Sequence, residues 1–176
     1  MDVALIHTAD LDGAALDEAR AMTFEAFESE FTDDDWEHGL GGLHAIARDG
    51  DTIIGHAAVV QRRLAHRGRA LRAGGVEAVA VHSDHRRDGL GDELLEALES
   101  VIVHAYDLGV LKATEIGMPF YRNRGWEPWR GTLHAFTPDG IIHQPDVEGA
   151  VLVFGVGDDI DLDADLTCDW RNGDLW

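Results

Sequence analysis

Short apolar runs alternate with turn residues along the chain, and this pattern predicts a mixed α/β fold. Runs rich in β-branched residues and bounded by Gly or Asp predict strands. They lie at residues 3–7, 43–48, 52–64, 76–81, 110–114 and 151–156, with a further strand starting at Trp126. Asp49-Gly50-Asp51 predicts a hairpin between the second and third of these runs. We therefore expect a twisted, mixed and mostly antiparallel sheet of about six to seven strands, flanked by helices.

Apolar residues at helical spacing predict the helices that flank this sheet. One helix follows Asp10-Leu11-Asp12-Gly13 and runs through Met22, Phe24 and Phe27. A long amphipathic helix opens near Gly89 and ends near Leu108-Gly109, and a short one runs from Pro119 to Arg124. Thr32 is followed by three aspartates, Asp33 to Asp35. This order predicts a helix start with Thr32 as its N-cap, because acids in the first turn interact favourably with the helix dipole.

The chain of 176 residues is long enough for one domain with a substantial core, so we expect a single domain over residues 1–176. Its tail, residues 158–176, is acidic, but spaced leucines and tryptophans predict that it packs. No apolar run is long enough to span a bilayer, and the first residues lack the pattern of a signal peptide. With Cys168 as the only cysteine, these features predict a cytoplasmic protein that does not bind a membrane.

The formal net charge of −20 is the strongest signal in the composition. It argues against nucleic acid as a partner, because phosphate binding needs clustered Lys and Arg, and it favours a cationic ligand. A solvated acidic surface suited to a salt-rich cytoplasm explains the same charge equally well. The histidines, including His44 and His56, show neither the paired spacing nor the cysteine partners of a zinc site, so no metal is predicted.

Residues 76–95 join a β-branched strand, a basic loop and an amphipathic helix, an arrangement that can hold a pyrophosphate. The loop Arg86-Arg87-Asp88-Gly89-Leu90-Gly91 has the form Arg-x-x-Gly-x-Gly. Its glycines allow close approach of the backbone, so that successive amides can point at phosphate oxygens. The pattern gains specificity because Phe120-Tyr121-Arg122-Asn123-Arg124-Gly125-Trp126 follows about thirty residues later.

Together these two segments resemble the GNAT superfamily of acetyltransferases. The resemblance implies that acetyl coenzyme A (acetyl-CoA) is the co-substrate, with its pyrophosphate on the loop and its thioester beside the Phe-Tyr segment. It also implies a set of cofactor-binding residues that continues from the strand into the helix. These are Val79, Ala80, Val81, Arg86, Arg87, Asp88, Gly89, Leu90, Gly91 and Asp92.

Segments outside those motifs are similar to the aminoglycoside 2′-N-acetyltransferases. They include Asp35-Trp36-Glu37-His38, residues 56–64 and the ending Cys168-Asp169-Trp170-Arg171-Asn172-Gly173-Asp174-Leu175-Trp176. This similarity implies acetyl transfer to the 2′-amino group of an aminoglycoside in a ternary complex, a role in antibiotic resistance, and a homodimer. It also implies an acidic acceptor site, beside which the tail packs, because aminoglycosides are polycations. The implied groups are Glu30, Asp35, Glu77, Asp146, Asp174 and the terminal carboxylate of Trp176.

Acetyl transfer to an amine needs a base, because an ammonium group has no lone pair with which to attack the thioester. Glu77, inside an apolar strand, is the candidate base, and the resemblance implies that it acts through water. Its alternative role is to pair with a substrate ammonium or a nearby Arg. Backbone N–H groups between Ala78 and Val81 would stabilise the oxygen of the tetrahedral intermediate. Tyr121 resembles the tyrosine that protonates the leaving thiolate, and its alternative role is that of a packed aromatic.

Lys112-Ala113-Thr114 replaces serines that many members of this family carry near the acceptor site. Lys112, the only lysine of the chain, would repel a polycation unless it points away or pairs with an acid. Two other functions therefore stay open. One is acetylation of a polyamine or another cationic metabolite, and the other is a non-catalytic sensor that binds coenzyme A. The presence of both Glu77 and Tyr121 counts against the sensor.

Overall fold

The computed structural model describes residues 3–27 and 30–176. The helices and strands follow one another in the order in which they are labelled here. The helices are α1 (Gly13–Phe27), α2 (Asp33–Glu37), α3 (Leu90–Ala105) and α4 (Met118–Asn123). The strands are β1 (Val3–His7), β2 (Leu43–Asp49), β3 (Thr52–His66), β4 (Arg69–Val81), β5 (Leu108–Lys112), β6 (Glu127–Pro128), β7 (Leu133–Thr137), β8 (Gly140–His143), β9 (Val151–Phe154) and β10 (Leu166–Cys168).

These elements form two compact units. The first unit is built from Met1–Val60 and Val76–Val101, and the second from Gln61–Gly75 and Ile102–Trp176. β3, β4 and α3 each contribute residues to both units. In the described part of the chain, no helix combines the length and the apolar character that a membrane crossing requires.

The first unit is a helix-covered antiparallel sheet. β2 pairs antiparallel with β1 on one side and with β3 on the other, with the hairpin predicted at residues 49–51 between β2 and β3. A cluster of buried apolar side chains joins these strands to the helices. Its members are Ala19, Met22, Trp36, Ile46, Ile53 and Ala80.

Thr32 caps α2 as its sequence predicts. The Thr32 side chain accepts a hydrogen bond from the N–H of Asp35 at 3.3 Å, and the Asp35 carboxylate accepts one from the N–H of Thr32 at 2.8 Å. This reciprocal pair satisfies two backbone donors that a helix start leaves without intrahelical acceptors. The position of the short α2, and of Trp36 within it, is therefore fixed by local sequence.

The second unit contains the strand order β6-β9-β5-β4-β3-β10-β7-β8. β4 with β5 and β10 with β7 are parallel pairs, whereas β9 pairs antiparallel with both β5 and β6. The mixed, mostly antiparallel sheet that the sequence predicts is therefore present. With β1 and β2 included, the described residues form 10 strands, more than predicted. The difference arises because the sequence pattern does not reveal the short strands β7, β8 and β10.

The boundary between α3 and β5 also differs from the prediction. The helix ends at Ala105 and the strand begins at Leu108, a few residues earlier than predicted on both counts. Asp107 causes the early turn, because its N–H donates to the carbonyl of Arg72 at 2.8 Å and its carboxylate accepts from the N–H of Arg72 at 2.7 Å. These bonds end the helix and align β5 with β4.

The acidic tail contributes to the core of the second unit. Leu162, Leu166, Cys168 and Trp176 are buried among the strand residues of this unit. Arg62, only 4% exposed, donates to the Asp169 carboxylate through Nε at 2.9 Å and Nη2 at 2.6 Å, and to the Leu175 carbonyl at 2.7 Å. One buried guanidinium thus ties the end of the chain to β3.

Two fully buried histidines of the first unit make its stability dependent on pH. Burial lowers the pKa of His44 from 6.5 to about 4, with His7 adding to the effect, and burial likewise lowers the pKa of His56 from 6.5 to about 4. Between these values the unfolded chain binds more protons, so the stability is fully present above pH 6.5 and declines as the pH falls towards 4. The limiting slope is about 1.4 kcal/mol per pH unit for each histidine.

We therefore expect the free energy of unfolding to fall by about 2 kcal/mol or more between pH 7.5 and pH 5, from the same linkage. Urea unfolding followed by circular dichroism measures it, in concentrated KCl so that the net charge of −20 is screened. The variant His104→Gln, which changes an exposed histidine of α3, should show the same decline. A stability that is flat across this pH range would contradict the prediction.

Candidate functional site

The predicted pyrophosphate loop lies in the first unit, between the end of β4 and the start of α3. Arg87 and Gly89 both have positive φ values, 71° and 84°, so the backbone of the loop curls sharply before the helix begins at Leu90. The first amides of a helix have no intrahelical acceptor and carry the positive end of the dipole. The curled backbone and the opening turn of α3 thus form a concave set of N–H donors suited to an anion.

Arg86 holds this loop in place. Its Nε donates to the carbonyl of Val81 at 3.2 Å, and its Nη2 donates to the carbonyl of Ala26 at the end of α1 at 3.0 Å. A cavity of about 110 Å³ lies beside it, lined by Met22, Glu25, Ala26, His82, Ser83 and Arg86. Arg86 and Arg87 are both exposed, but the Arg86 guanidinium donates to two backbone carbonyls and so organises the loop, whereas Arg87 is the one more available to a ligand.

Glu77 lies on β4 next to an irregular position of the strand. Its side chain is half-buried and lies near Gly39, where an added Cβ would be 4.0 Å from the Cβ of Glu77. Ala78 has a φ of 52°, a left-handed conformation that costs a non-glycine residue roughly 1–2 kcal/mol. The amides of Val79, Ala80 and Val81 therefore follow a point where β4 leaves regular strand geometry.

The first unit also holds two of the predicted acceptor-binding acids, Glu30 and Asp35. Glu30 is exposed, just before the cap of α2. Asp35 is half-buried, and its Oδ2 accepts from both the N–H and the hydroxyl of Thr32, at 2.8 and 2.7 Å. The capping box thus fixes the orientation of the Asp35 carboxylate, and its Oδ1 takes no part in that box.

Tyr121 lies in the second unit on α4, which Gly125 ends with a φ of 91°. The tyrosine ring packs edge-on against Phe120 at 5.2 Å and against Trp126 at 6.1 Å between centroids. Its carbonyl accepts from the N–H of Trp126 at 3.2 Å. These contacts hold the ring while leaving the residue half-buried.

Lys112 pairs with an acid, and this pairing reduces the repulsion that its ammonium group would exert on a cationic ligand. Its ammonium forms an ion pair with Oδ2 of Asp174, and the two side chains are 33% and 36% exposed. Oδ1 of Asp174 accepts from the N–H of Trp176 at 3.3 Å, and the Asp174 carbonyl accepts from Nε of Arg171 at 2.7 Å. The structure thus brings together Lys112, Asp174 and the C-terminal residue.

The last two predicted acceptor residues differ in burial. The Trp176 indole is 5% exposed, and within the described residues its Nε1 has no hydrogen-bond partner. Asp146 is exposed in a single turn at residues 145–147, before β9. Its role in binding the acceptor stays a prediction.

Sequence reasoning missed the roles of Arg62, His44 and His56. A signal was available for each, because a charged or polar residue inside an apolar strand requires a buried partner. Cys168 is also buried, and burial raises its pKa to about 11, so it is a thiol and not a thiolate nucleophile at neutral pH. Across residues 3–27 and 30–176, no group of three or more His, Cys, Asp or Glu is placed to hold a metal ion.

Sequence comparison matches this chain to a family model and to a named relative. The family model of the acetyltransferase (GNAT) domain matches residues 9–129. An aminoglycoside 2′-N-acetyltransferase from Mycolicibacterium fortuitum is 46% identical over 176 residues, which cover 98% of this chain and 90% of that protein. The likeness therefore extends through the C-terminal tail, beyond the residues that the family model matches.

Solved structures share the fold at low identity. The GNAT family N-acetyltransferase YhbS from Escherichia coli, in complex with CoA, superposes with a TM-score of 0.62 at 18% identity, covering 94% of this chain and 88% of that one. Eis1 from Mycobacterium abscessus gives a TM-score of 0.61 at 18% identity over 75% of this chain, which spans only 33% of the Eis1 chain. These likenesses show that the mixed sheet with flanking helices is the GNAT fold.

Proposed function

Because the chain belongs to the GNAT acetyltransferase family, we propose that it is an aminoglycoside 2′-N-acetyltransferase. The observation that carries this proposal is the nearly full-length likeness to the Mycolicibacterium fortuitum enzyme. That likeness includes segments outside the cofactor loop, and such segments decide which acceptor an acetyltransferase binds. A cytoplasmic location, a homodimer and a role in resistance accompany the proposal as predictions.

Acetyl-CoA would be held mainly by backbone donors of the first unit. The curled loop with positive φ at Arg87 and Gly89, together with the start of α3, fits a pyrophosphate. The exposed Arg87 adds a positive charge, and the amides of Val79 to Val81 complete the predicted set. When bound, acetyl-CoA supplies an acetyl thioester, the electrophile of the reaction.

The acceptor would be bound by carboxylates, which suit its several ammonium groups. Glu30 and Asp35 in the first unit and Asp146, Asp174 and the C-terminal carboxylate of Trp176 in the second are the candidates. The net charge of −20 raises the local concentration of a polycation at low ionic strength. The same carboxylates would serve a polyamine, and only the likeness to the Mycolicibacterium fortuitum enzyme favours the aminoglycoside.

The acceptor nitrogen loses two protons between the ammonium and the product amide, one before attack and one to water as the tetrahedral intermediate collapses, and the coenzyme A sulfur gains one. Glu77 accepts a proton from the acceptor ammonium, directly or through water, so that the neutral amine forms the new C–N bond. N–H groups of Val79 to Val81 stabilise the negative charge that develops on the carbonyl oxygen. Tyr121 donates its proton to the coenzyme A thiolate as the C–S bond breaks. Its fixed ring orientation supports this role.

The proposal is tested by release of coenzyme A thiol from acetyl-CoA with a matched pair of acceptors. Kanamycin B carries a 2′-amino group and kanamycin A a 2′-hydroxyl, and spermidine represents the polyamines. We expect release with kanamycin B alone, and NMR of the product should show the acetyl group on the 2′ nitrogen. Release with spermidine alone would replace the proposal by metabolite acetylation. Cofactor binding without release to any amine would favour the sensor.

Glu77→Gln should lower kcat by about 10² or more, because removal of a general base costs on that order. The loss should shrink as the pH rises, since more of the acceptor amine is then neutral without help. Binding of acetyl-CoA, measured by calorimetry, should stay unchanged. Glu37→Gln alters an exposed glutamate of α2 and serves as the matched control. A kcat within about threefold of the parent would remove Glu77 from the mechanism.

Lys112→Ser should lower the KM for the aminoglycoside by about three- to tenfold, or roughly 0.7–1.4 kcal/mol. The substitution removes a positive charge and releases the Asp174 carboxylate from its ion pair. Lys112→Arg keeps the charge and should leave the KM near its original value. This decrease in KM should disappear in high salt and in the double variant Lys112→Ser, Asp174→Asn. An unchanged or higher KM in Lys112→Ser would show that Asp174 does not bind the acceptor.

A further inference from the structure

A line of hydrogen bonds crosses the interior of the first unit from Thr8, which follows β1, to Ala78 on β4. The Thr8 hydroxyl lies 2.7 Å from Nε2 of His44, and Nδ1 of His44 lies 2.9 Å from Nε2 of His56. Nδ1 of His56 lies 2.9 Å from the carbonyl oxygen of Ala78. Both imidazoles are fully buried, and the Trp36 ring packs against His56 at 5.2 Å. We refer to Thr8, His44, His56 and Ala78 as the histidine relay.

The direction of every hydrogen bond in the histidine relay is fixed by its last member. A carbonyl oxygen can only accept, so Nδ1 of His56 carries a proton and Nε2 of this neutral ring is an acceptor. His44 must then donate through Nδ1, which leaves its Nε2 to accept from the hydroxyl of Thr8. Thr8 in turn accepts from the N–H of Gly41 at 2.9 Å, and its hydroxyl proton goes to His44 at 2.7 Å rather than to the carbonyl of Gly42, which lies farther away at 3.2 Å. Both rings are thus held as the Nδ1–H tautomer.

The histidine relay ends at the irregular position of β4. Ala78 has a φ of 52°, and its carbonyl is buried, so the donor from His56 both satisfies this oxygen and stabilises an unfavourable backbone conformation. Glu77 precedes this residue and the amides of Val79 to Val81 follow it. Any rotation of the peptide at Ala78 would therefore displace the proposed base and the proposed oxyanion donors together.

We propose that His44 and His56 are positioning residues for acetyl transfer. Through a one-way series of hydrogen bonds that begins at Thr8, they lock the Ala78 peptide and thereby orient Glu77 and the N–H groups of Val79 to Val81. Neither histidine touches a substrate or exchanges a proton with one. This inference rests on the proposed function for its catalytic consequence. The hydrogen bonds and the tautomers can be tested without turnover.

The first test is the tautomeric state in the intact protein. Correlation of imidazole 15N and ring proton signals distinguishes Nδ1–H from Nε2–H histidine. We expect both His44 and His56 to be neutral with the proton on Nδ1, which is the minor tautomer of free histidine. An Nε2–H signal for either ring would overturn the histidine relay whatever the outcome of the activity assays.

The second test removes donors from each end of the histidine relay. His56→Leu deletes the donor to the Ala78 carbonyl. We expect kcat to fall about tenfold or more, because misplacement of the reacting groups lowers the rate of the chemical step. The KM for acetyl-CoA should stay within about twofold of the parent value. His56→Asn offers an amide N–H at the position of Nδ1 and should recover most of the loss. Loss without recovery would indicate a packing role only and would overturn the proposal.

Thr8→Val tests the proposal even if His56→Leu does not fold. Thr8 is only half-buried and lies at the end of the relay opposite Ala78, so its substitution should be tolerated. We expect a shift in the His44 and His56 signals, shifts in the amide signals of Val79 to Val81, and a kcat about threefold lower. Thr137→Val is the control, since it removes a hydroxyl that donates to a backbone carbonyl outside the histidine relay, that of Gly140 at 2.8 Å. Unchanged amide signals and kcat in Thr8→Val would overturn the proposal.

If the parent acetylates no amine, the proposed function fails while the NMR readouts still test the relay.

Discussion

The left-handed backbone at Ala78 inside a buried strand is the constraint on which the candidate chemistry depends. A regular strand places every N–H and C=O in its ladder, and such a strand has no amides to offer a ligand. β4 departs from that geometry at Ala78, immediately after Glu77. The departure costs conformational energy, and the buried carbonyl of Ala78 accepts a hydrogen bond from His56, which on our proposal stabilises it.

A scarcity of cations shapes the second unit. The chain has 14 Lys and Arg against 34 Asp and Glu. Each basic side chain therefore has many acidic side chains with which it could pair, and the pairs that form show which segments are held in place by charge. Arg62 is buried on Asp169 and on the Leu175 carbonyl, and Lys112 is paired with Asp174. Both cations hold the last residues of the chain, the segment that brings Asp174 and the terminal carboxylate to defined positions.

The parts of this molecule that depend on neighbouring residues could be predicted from sequence. Thr32 and Asp35 are three positions apart and form their capping box locally, and the loop before α3 is curled by its own residues. The parts that depend on distant residues could not. β10 is a strand because it pairs with β3 and β7, about a hundred and about thirty residues away, and its own sequence is not distinctive. The partners of His56, Arg62 and Lys112 are non-local in the same sense.

The proposed binding sites for acetyl-CoA and for the acceptor also differ in how far they depend on distant side chains. The donors proposed for acetyl-CoA are mostly backbone amides, so their positions follow from φ and ψ values and tolerate changes of side chain. The groups proposed for the acceptor are side-chain carboxylates, and their availability depends on which cation lies beside them. Lys112 changes that availability at Asp174 through their ion pair. On the proposed function, a single substitution at Lys112 would change the acceptor range while the cofactor stays the same, and the C-terminal segment would then carry more information about the acceptor than the glycine loop does.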